Sequence, residues 1–286
     1  MNLSANSLFH FTSNLEAIES IIHDKFYGGY CKEVLYNKEE KIPLYIPMIS
    51  FCDIRLETIS RFSKYGKYGI GLKKDWGIRN KLNPVFYLEK ESLLAESMIK
   101  SIVGSFLSVL ADQDKINQLK DRIEKTNKPG QRTKSQQISI LSNIQKQLNI
   151  LKIKSAPFEH LIYSIYYTKH YQADLEREDG LTKDYRFYDE REWRYMPKFD
   201  CAVCQLRRTE KEYLEWRGIS EKKPLLREVA LSFDYSDIEH IIVEKEVEIE
   251  KMIDIIKKIS NDKCSQMIKE RLLTKITSFE KIGTDF

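Results

Sequence analysis

Residues 93–110 read LLAESMIKSIVGSFLSVL, and Leu94, Met98, Ile102, Phe106 and Leu110 recur within them at helical spacing. A stripe of that period marks a helix with one apolar face. The period resumes after Lys128-Pro129-Gly130, where Ile138, Leu141, Ile144, Leu148 and Leu151 repeat it. A further helix is expected from about Ala156 to His170. This helical section, about 91–175, divides two stretches with the character of strands.

Upstream, Leu8-Phe9-His10-Phe11 reads as a strand with Phe9 and Phe11 on one face and Leu8 and His10 on the other. Ser13 or Asn14 then caps a helix that carries Leu15, Ile18, Ile21 and Ile22. Ile46 to Cys52, Tyr68 to Leu72 and Val85 to Leu88 read as further strands. Downstream, Glu192 to Met196, Glu228 to Phe233 and Glu239 to Val243 have strand character, and helices are expected over Glu244–Ile259 and Cys264–Thr274. The order predicts one α+β domain over 1–286: a mixed or antiparallel sheet split between the two ends of the chain, with a long helical insertion.

Composition narrows the class. Hydrophobic residues make up 42% and charged residues 31%, which is a globular balance and neither a disordered nor a membrane one. The start of the chain has no basic segment followed by an apolar one, so no signal peptide is expected. No apolar run reaches the roughly 18 residues a spanning helix needs. The five cysteines are odd in number in a large chain, which argues for a reducing cytoplasm over a disulfide framework. Cys201-Ala-Val-Cys204 has half the spacing of a zinc site, but no second close pair completes it, and no metal is expected. Charge is uneven. Lys115 to Lys154 holds ten Lys/Arg and two Asp/Glu, against a net +4 for the whole chain. Such a helical hairpin could be a solvated face, a contact for an acidic protein, or a nucleic-acid contact. It contains no aromatic residue on which single-stranded bases could stack.

Four clusters carry the chemistry. His10 and Thr12, on a strand between aromatics, could hold a ribose hydroxyl or be strand residues bonded to backbone. Ser50 and Cys52 share a strand face, but Cys52 has no local base to activate it. Tyr65-Gly66-Lys67-Tyr68-Gly69-Ile70-Gly71 fits neither a dinucleotide nor a Walker pattern. It reads as a turn into a strand that passes close to another backbone, with Tyr65 or Tyr68 able to stack on a planar ring. In Glu190-Arg191-Glu192-Trp193-Arg194-Tyr195, strand alternation lines up Glu190, Glu192 and Arg194 on one face. Two carboxylates beside an arginine could form a polar site, or an exposed ion-pair ladder on an edge strand.

In this order the clusters resemble the AbiGi family. The resemblance rests on Leu8-x-His10-Phe11-Thr12, the Met48 to Ile54 block, Tyr65 to Trp76, Asn83-Pro84-Val85, Glu190-x-Glu192-Trp193-Arg194-Tyr195, and Asp237-Ile238-x-x-Ile241-Ile242-Val243. It implies bacterial defence against phage by abortive infection. The chain would be the antitoxin-like member of a two-gene system, with a cognate protein partner, toxin or phage component, and it need not be an enzyme or hold a cofactor. The layout is also loosely similar to ADP-ribosyltransferases. That similarity implies NAD chemistry, with His10, Thr12 and Ser50 binding NAD, Tyr65 or Tyr68 flanking nicotinamide, Glu192 catalytic and Glu190 supporting it. Two departures stand against it: there is no Ser-Thr-Ser block, and Phe11 stands where the layout has tyrosine.

Overall fold

The computed structural model describes residues 5–37, 40–127, 133–177, 180–197, 209–218 and 225–285. Cys201 and Cys204 lie outside them. In chain order the strands are β1 (Ser7–Thr12), β2 (Phe26–Asn37), β3 (Glu40–Cys52), β4 (Tyr68–Lys73), β5 (Asn83–Pro84), β6 (Phe86–Leu88), β7 (Thr168–His170), β8 (Ala173–Arg177), β9 (Gly180–Tyr185), β10 (Glu192–Tyr195), β11 (Leu226–Leu231), β12 (Ile238–Val243) and β13 (Ile276–Ser278). The α-helices are α1 (Leu15–His23), α2 (Lys74–Arg79), α3 (Leu93–Asn127), α4 (Lys134–Tyr166), α5 (Glu210–Arg217), α6 (Ile249–Lys257), α7 (Gln266–Leu273) and α8 (Phe279–Asp285). The class is α+β. Among the described residues, no helix is long and apolar enough to cross a membrane.

These residues fall into two compact units. Unit 1 takes its described residues from Met1–Tyr36, Glu40–Tyr87 and Lys169–Phe286, and unit 2 from Asn37–Glu39 and Leu88–Thr168.

Unit 1 is built on a sheet ordered β11-β2-β3-β1-β4-β12-β13, with β10 pairing both β3 and β5. Its pairings are antiparallel at β1–β4, β1–β3, β10–β3 and β4–β12, and parallel at β12–β13. Residues from both ends of the chain therefore share one sheet, as the split pattern predicts. One face buries Leu8, Phe51, Ile70, Trp76 and Ile241 against Ile18 and Ile22 of α1 and Met252 and Ile256 of α6. Removing side chains of this size from water is worth about 1.5–3 kcal/mol each. The α1 stripe is the one the sequence shows, and Asn14 caps it, with Asn14 Oδ1 accepting from the Ala17 amide at 2.9 Å. The other face holds Phe9, Cys52, Ile59, Phe62 and Ile242.

The glycines of the Tyr65 to Leu72 run have steric reasons. Phe9 lies opposite Gly71 and Phe11 opposite Gly69 across β1–β4. A Cβ on Gly71 would come within 2.7 Å of the Phe9 ring. Gly66 has φ +119°, and a Cβ there would meet the Thr12 carbonyl oxygen at 1.8 Å. The run is thus the close backbone approach that its spacing suggests.

Four points need correction or completion. The strand β2 falls in a stretch for which the sequence reading names no element. Gly28 is the point where Val229 of β11 closes in, 2.6 Å from where a Cβ would stand. The break expected between Leu151 and Ala156 is absent: Lys152-Ile153-Lys154-Ser155-Ala156 has no turn signal, and α4 runs through it. Of the strand expected over Val85–Leu88, Phe86–Leu88 form β6, and Val85 separates it from β5. Glu190 does not belong to β10; it ends a 3-10 turn over Phe187–Glu190, after which Arg191 takes a left-handed backbone with φ 45°.

Unit 2 contains the α3–α4 hairpin. Leu119, Ile123, Ile140 and Ile144 form its described apolar seam. A capping box starts α4: Thr133 Oγ1 accepts from the Gln136 amide, and the Gln136 side chain accepts from the Thr133 amide.

Candidate functional site

The second, third and fourth clusters of the sequence meet inside unit 1. In the β10–β3 register, Glu192 lies opposite Cys52 and Arg194 opposite Ser50, so all four side chains share one face of the sheet. Arg194 is fully buried and Glu192 is 3% exposed. The guanidinium grips Glu192 side-on, with Nε to Oε1 at 2.7 Å and Nη2 to Oε2 at 3.1 Å. The same Nη2 donates to Glu33 Oε1 of β2 at 2.6 Å. Lys169 of β7 donates to Glu192 Oε2 at 2.7 Å and to Glu190 Oε2 at 3.1 Å. Ser50 Oγ donates to Glu192 Oε1 at 2.9 Å. Tyr65 closes the far side by donating to Glu190. Tyr87 of β6 accepts from the Glu192 amide at 2.7 Å.

The left-handed turn at Arg191 explains why Glu190 still joins the cluster. The chain reverses its twist for one residue, and the Glu190 carboxyl arrives beside Glu192 from a turn instead of along a strand. Arg191 also gives its carbonyl to the Asp53 amide at 3.1 Å, which fixes that turn to the end of β3.

Three carboxylates face two cations here. Burial by itself would raise the Glu192 carboxyl, but Arg194 and Lys169 outweigh it and hold the group well below the usual carboxylate range. Burial would likewise lower Arg194 and Lys169, and the carboxylates around them hold both above their ordinary values. Glu33 goes the other way: burial raises it more than Arg194 lowers it. The arrangement resolves its surplus carboxylate at Glu33. Burial also raises the hydroxyls of Tyr65 and Tyr87, so both stay neutral donors and acceptors. The Cys31 thiol, beside the cluster on β2, is pushed up to about 11 by burial and by Glu33 and Glu192, and is an inert thiol at neutral pH.

His10 sits on the other side of the sheet. Its ring packs on Phe26 and Phe51, with centroids at 5.2 and 5.5 Å. Phe51 is the neighbour of Ser50 and points to the opposite face of β3. His10 Nδ1 donates to the Ser50 carbonyl at 2.9 Å, and burial holds the imidazole below its ordinary value, so the ring is neutral with its proton on Nδ1. Ser50 thus joins the two residues by its main chain on one side and its hydroxyl on the other. Thr12 Oγ1 donates to the Asn14 carbonyl at 3.2 Å, and Tyr68 to Glu248 at 2.9 Å; neither reaches the cluster. Of the residues singled out in the sequence, Glu190, Glu192, Ser50 and Tyr65 come together, while His10, Thr12 and Tyr68 stand apart. An NAD site of the kind the looser resemblance implies needs His10 and Glu192 on two walls of one cleft. The side chains present do not fit it: they occupy opposite faces, and Glu192 is already filled by Arg194, Lys169 and Ser50. Among the described residues, no group of His, Cys, Asp and Glu is placed to hold a metal ion.

Sequence reasoning missed Glu33, Lys169 and Tyr87. The signal for Glu33 was the aromatic and β-branched run around Gly28-Gly29. Lys169 was hidden in a segment read as the end of a helix.

Comparison with known proteins matches residues 24–244 to a family model described as "Putative abortive phage resistance protein AbiGi, antitoxin". The chain is also 28% identical over 277 residues to the abortive phage resistance protein AbiGi of Lactococcus lactis subsp. cremoris, covering 89% of this chain and 95% of that protein. No solved structure matches, and the likeness to ADP-ribosyltransferases finds no support. The chain belongs to the AbiGi family of abortive phage resistance proteins.

Proposed function

We propose that this protein is the antitoxin-side member of an abortive-infection pair and works in the cytoplasm by binding a cognate protein toxin, with the α3–α4 hairpin as its contact. The family description supplies the role. The observation that carries the contact is the distribution of charge on the hairpin. Lys120, Arg122, Lys125, Lys134 and Lys146 are exposed, while Leu119 and Ile144 are buried in the seam. The apolar side of this part of the hairpin is spent on its own packing, which leaves a basic outer side to meet an acidic partner.

The test is association with the toxin encoded beside this protein. Reversing Lys120, Arg122 and Lys125 together to glutamate is expected to weaken association at least about ten-fold and to steepen its loss with salt less than in the parent protein. Plaque counts of a phage normally restricted by the pair should shift with it. Unchanged affinity and unchanged plaque counts would remove the hairpin as the contact.

A further inference from the structure

Unit 1 carries, apart from the ionic cluster, a cavity of about 270 Å³ at the C-terminal end of α7. Three cations line it: Lys73 at the end of β4, Arg271 in the last turn of α7, and Lys275 just after it. Lys73 and Lys275 share one carboxylate, Glu239 of β12. Its Oε1 stands 3.7 Å from both the Lys73 and the Lys275 ammonium, which is too long for a direct hydrogen bond to either. Among the described residues, Arg271 has no carboxylate within ion-pair distance. The neighbouring carboxylate in sequence, Asp237, is taken by Arg79 at 2.7 Å and does not offset the excess.

Basic residues at a helix C-terminus often serve the helix dipole. Here two carbonyls of the last turn already have donors. Thr274 Oγ1 donates to the Arg271 carbonyl at 2.8 Å and the Lys275 amide to the Leu272 carbonyl at 3.0 Å. Lys275 is held in place by the Ile238 carbonyl. The cavity has an apolar wall as well. Leu272 is 1% exposed. The Tyr235 ring is fixed by its hydroxyl, which donates to the Ile22 carbonyl at 3.0 Å, and by an edge contact with Phe233 at 6.1 Å.

A pocket with two surplus positive charges beside a rigid aromatic ring suits an anion attached to a flat or apolar body. Its volume lies just under the roughly 300–1,000 Å³ of drug-sized sites, so the ligand is small. Arg271 supplies the planar fork that grips phosphate at two points, and Lys73 and Lys275 supply point charges. We propose that this cavity binds a small phosphomonoester of mononucleotide size, with the phosphate on Arg271 and Lys73 and the body against Tyr235 and Leu272. Binding here is independent of the hairpin contact.

Calorimetric titration of the full chain at low salt, with AMP and separately with inorganic phosphate, tests it. AMP is expected to bind with a Kd below about 1 mM, and phosphate to displace it but bind more weakly. Arg271→Glu should weaken AMP at least about ten-fold with an unchanged melting temperature. Should that variant fail to fold, Lys73→Glu, at a half-exposed strand end, carries the same expectation. The proposal is overturned if AMP gives no binding at several-fold above about 1 mM, or if neither reversal changes its affinity. It is also overturned if phosphate binds as tightly as AMP, because the body of the ligand would then go unread.

Discussion

Glu192 and Arg194 hold their charges inside unit 1 at 3% and 0% exposure, whereas Lys120, Arg122 and Lys125 hold theirs on the outside of the α3–α4 hairpin. The residue types are alike and the environments are not. Each inner charge is fixed by hydrogen bonds of 3.1 Å or less to a neighbour, and removing one disturbs a network that the others share. The outer charges are exposed, and changing them is expected to cost the fold little. Burial, not charge density, separates a part that holds the fold from a part free to meet a partner.

The sharpest way to break this comparison is Arg194→Met. It takes away the ion pair of Glu33 and leaves buried Glu192 with Lys169 and Ser50 as its donors. Loss of one member of such a network costs about 3–5 kcal/mol. A domain is stable by about 5–15 kcal/mol, so urea unfolding should show a large fall in midpoint or a chain that does not fold. A midpoint within error of the parent would mean that the cluster is not buried as described.

The two glutamates that touch Arg194 should differ from each other. Glutamine at 192 puts an amide donor among Arg194, Lys169 and Ser50, which are all donors. Glu192→Gln is expected to cost about 2–3 kcal/mol at pH 7. Glutamine at 33 still offers Arg194 an acceptor and removes a carboxyl whose ionisation burial opposes, so Glu33→Gln should cost less than about 1 kcal/mol. The pH dependence follows from the same directions. Glu192 is held below its unfolded value, so the stability it adds is present above about pH 4.5 and drains away as the pH falls beneath it. Glu33 is held above its unfolded value, so acid relieves a cost there instead of creating one. Urea midpoints measured from pH 7 down to pH 3 should therefore fall less steeply in Glu192→Gln than in the parent, and at least as steeply in Glu33→Gln. Parallel curves for all three would show that neither carboxyl is perturbed.

The alternation of Glu192 and Arg194 was legible in the sequence and does put those two side chains on one face, whereas Glu190 joins Glu192 from a turn. That turn depends on a left-handed Arg191, and no local residue pattern announces a positive φ at an arginine. The glycine run beside Tyr65 was legible as a close approach because nothing but glycine fits against the Thr12 carbonyl. Glu33 and Lys169 were not legible, since each joins the cluster from more than twenty residues away from Glu192 in sequence and periodicity carries no information about such pairings. The separation of His10 from Glu192 was hidden for the same reason. Alternation tells which residues of one strand share a face, but which faces of two strands agree is set by register. Here β1 meets β3 at Phe9 and Cys52, which puts Phe9, not His10, on the side of the glutamate.

The mildest expected effect lies on the hairpin and sharpens the comparison from its other side. Converting Lys120, Arg122 and Lys125 to glutamate leaves the seam of Leu119, Ile123, Ile140 and Ile144 untouched. Exposed substitutions away from caps and packed contacts change stability by about 0.5 kcal/mol or less. All three are in α3, where glutamate is as good a helix former as lysine or arginine. Their location in the later part of α3 works slightly against them, because negative charge is disfavoured near a helix C-terminus. The triple variant should therefore unfold within about 1 kcal/mol of the parent while losing its partner. A large loss of stability would mean that these cations are bonded into the fold, and the contrast between the two regions would fail where it is most exposed to test.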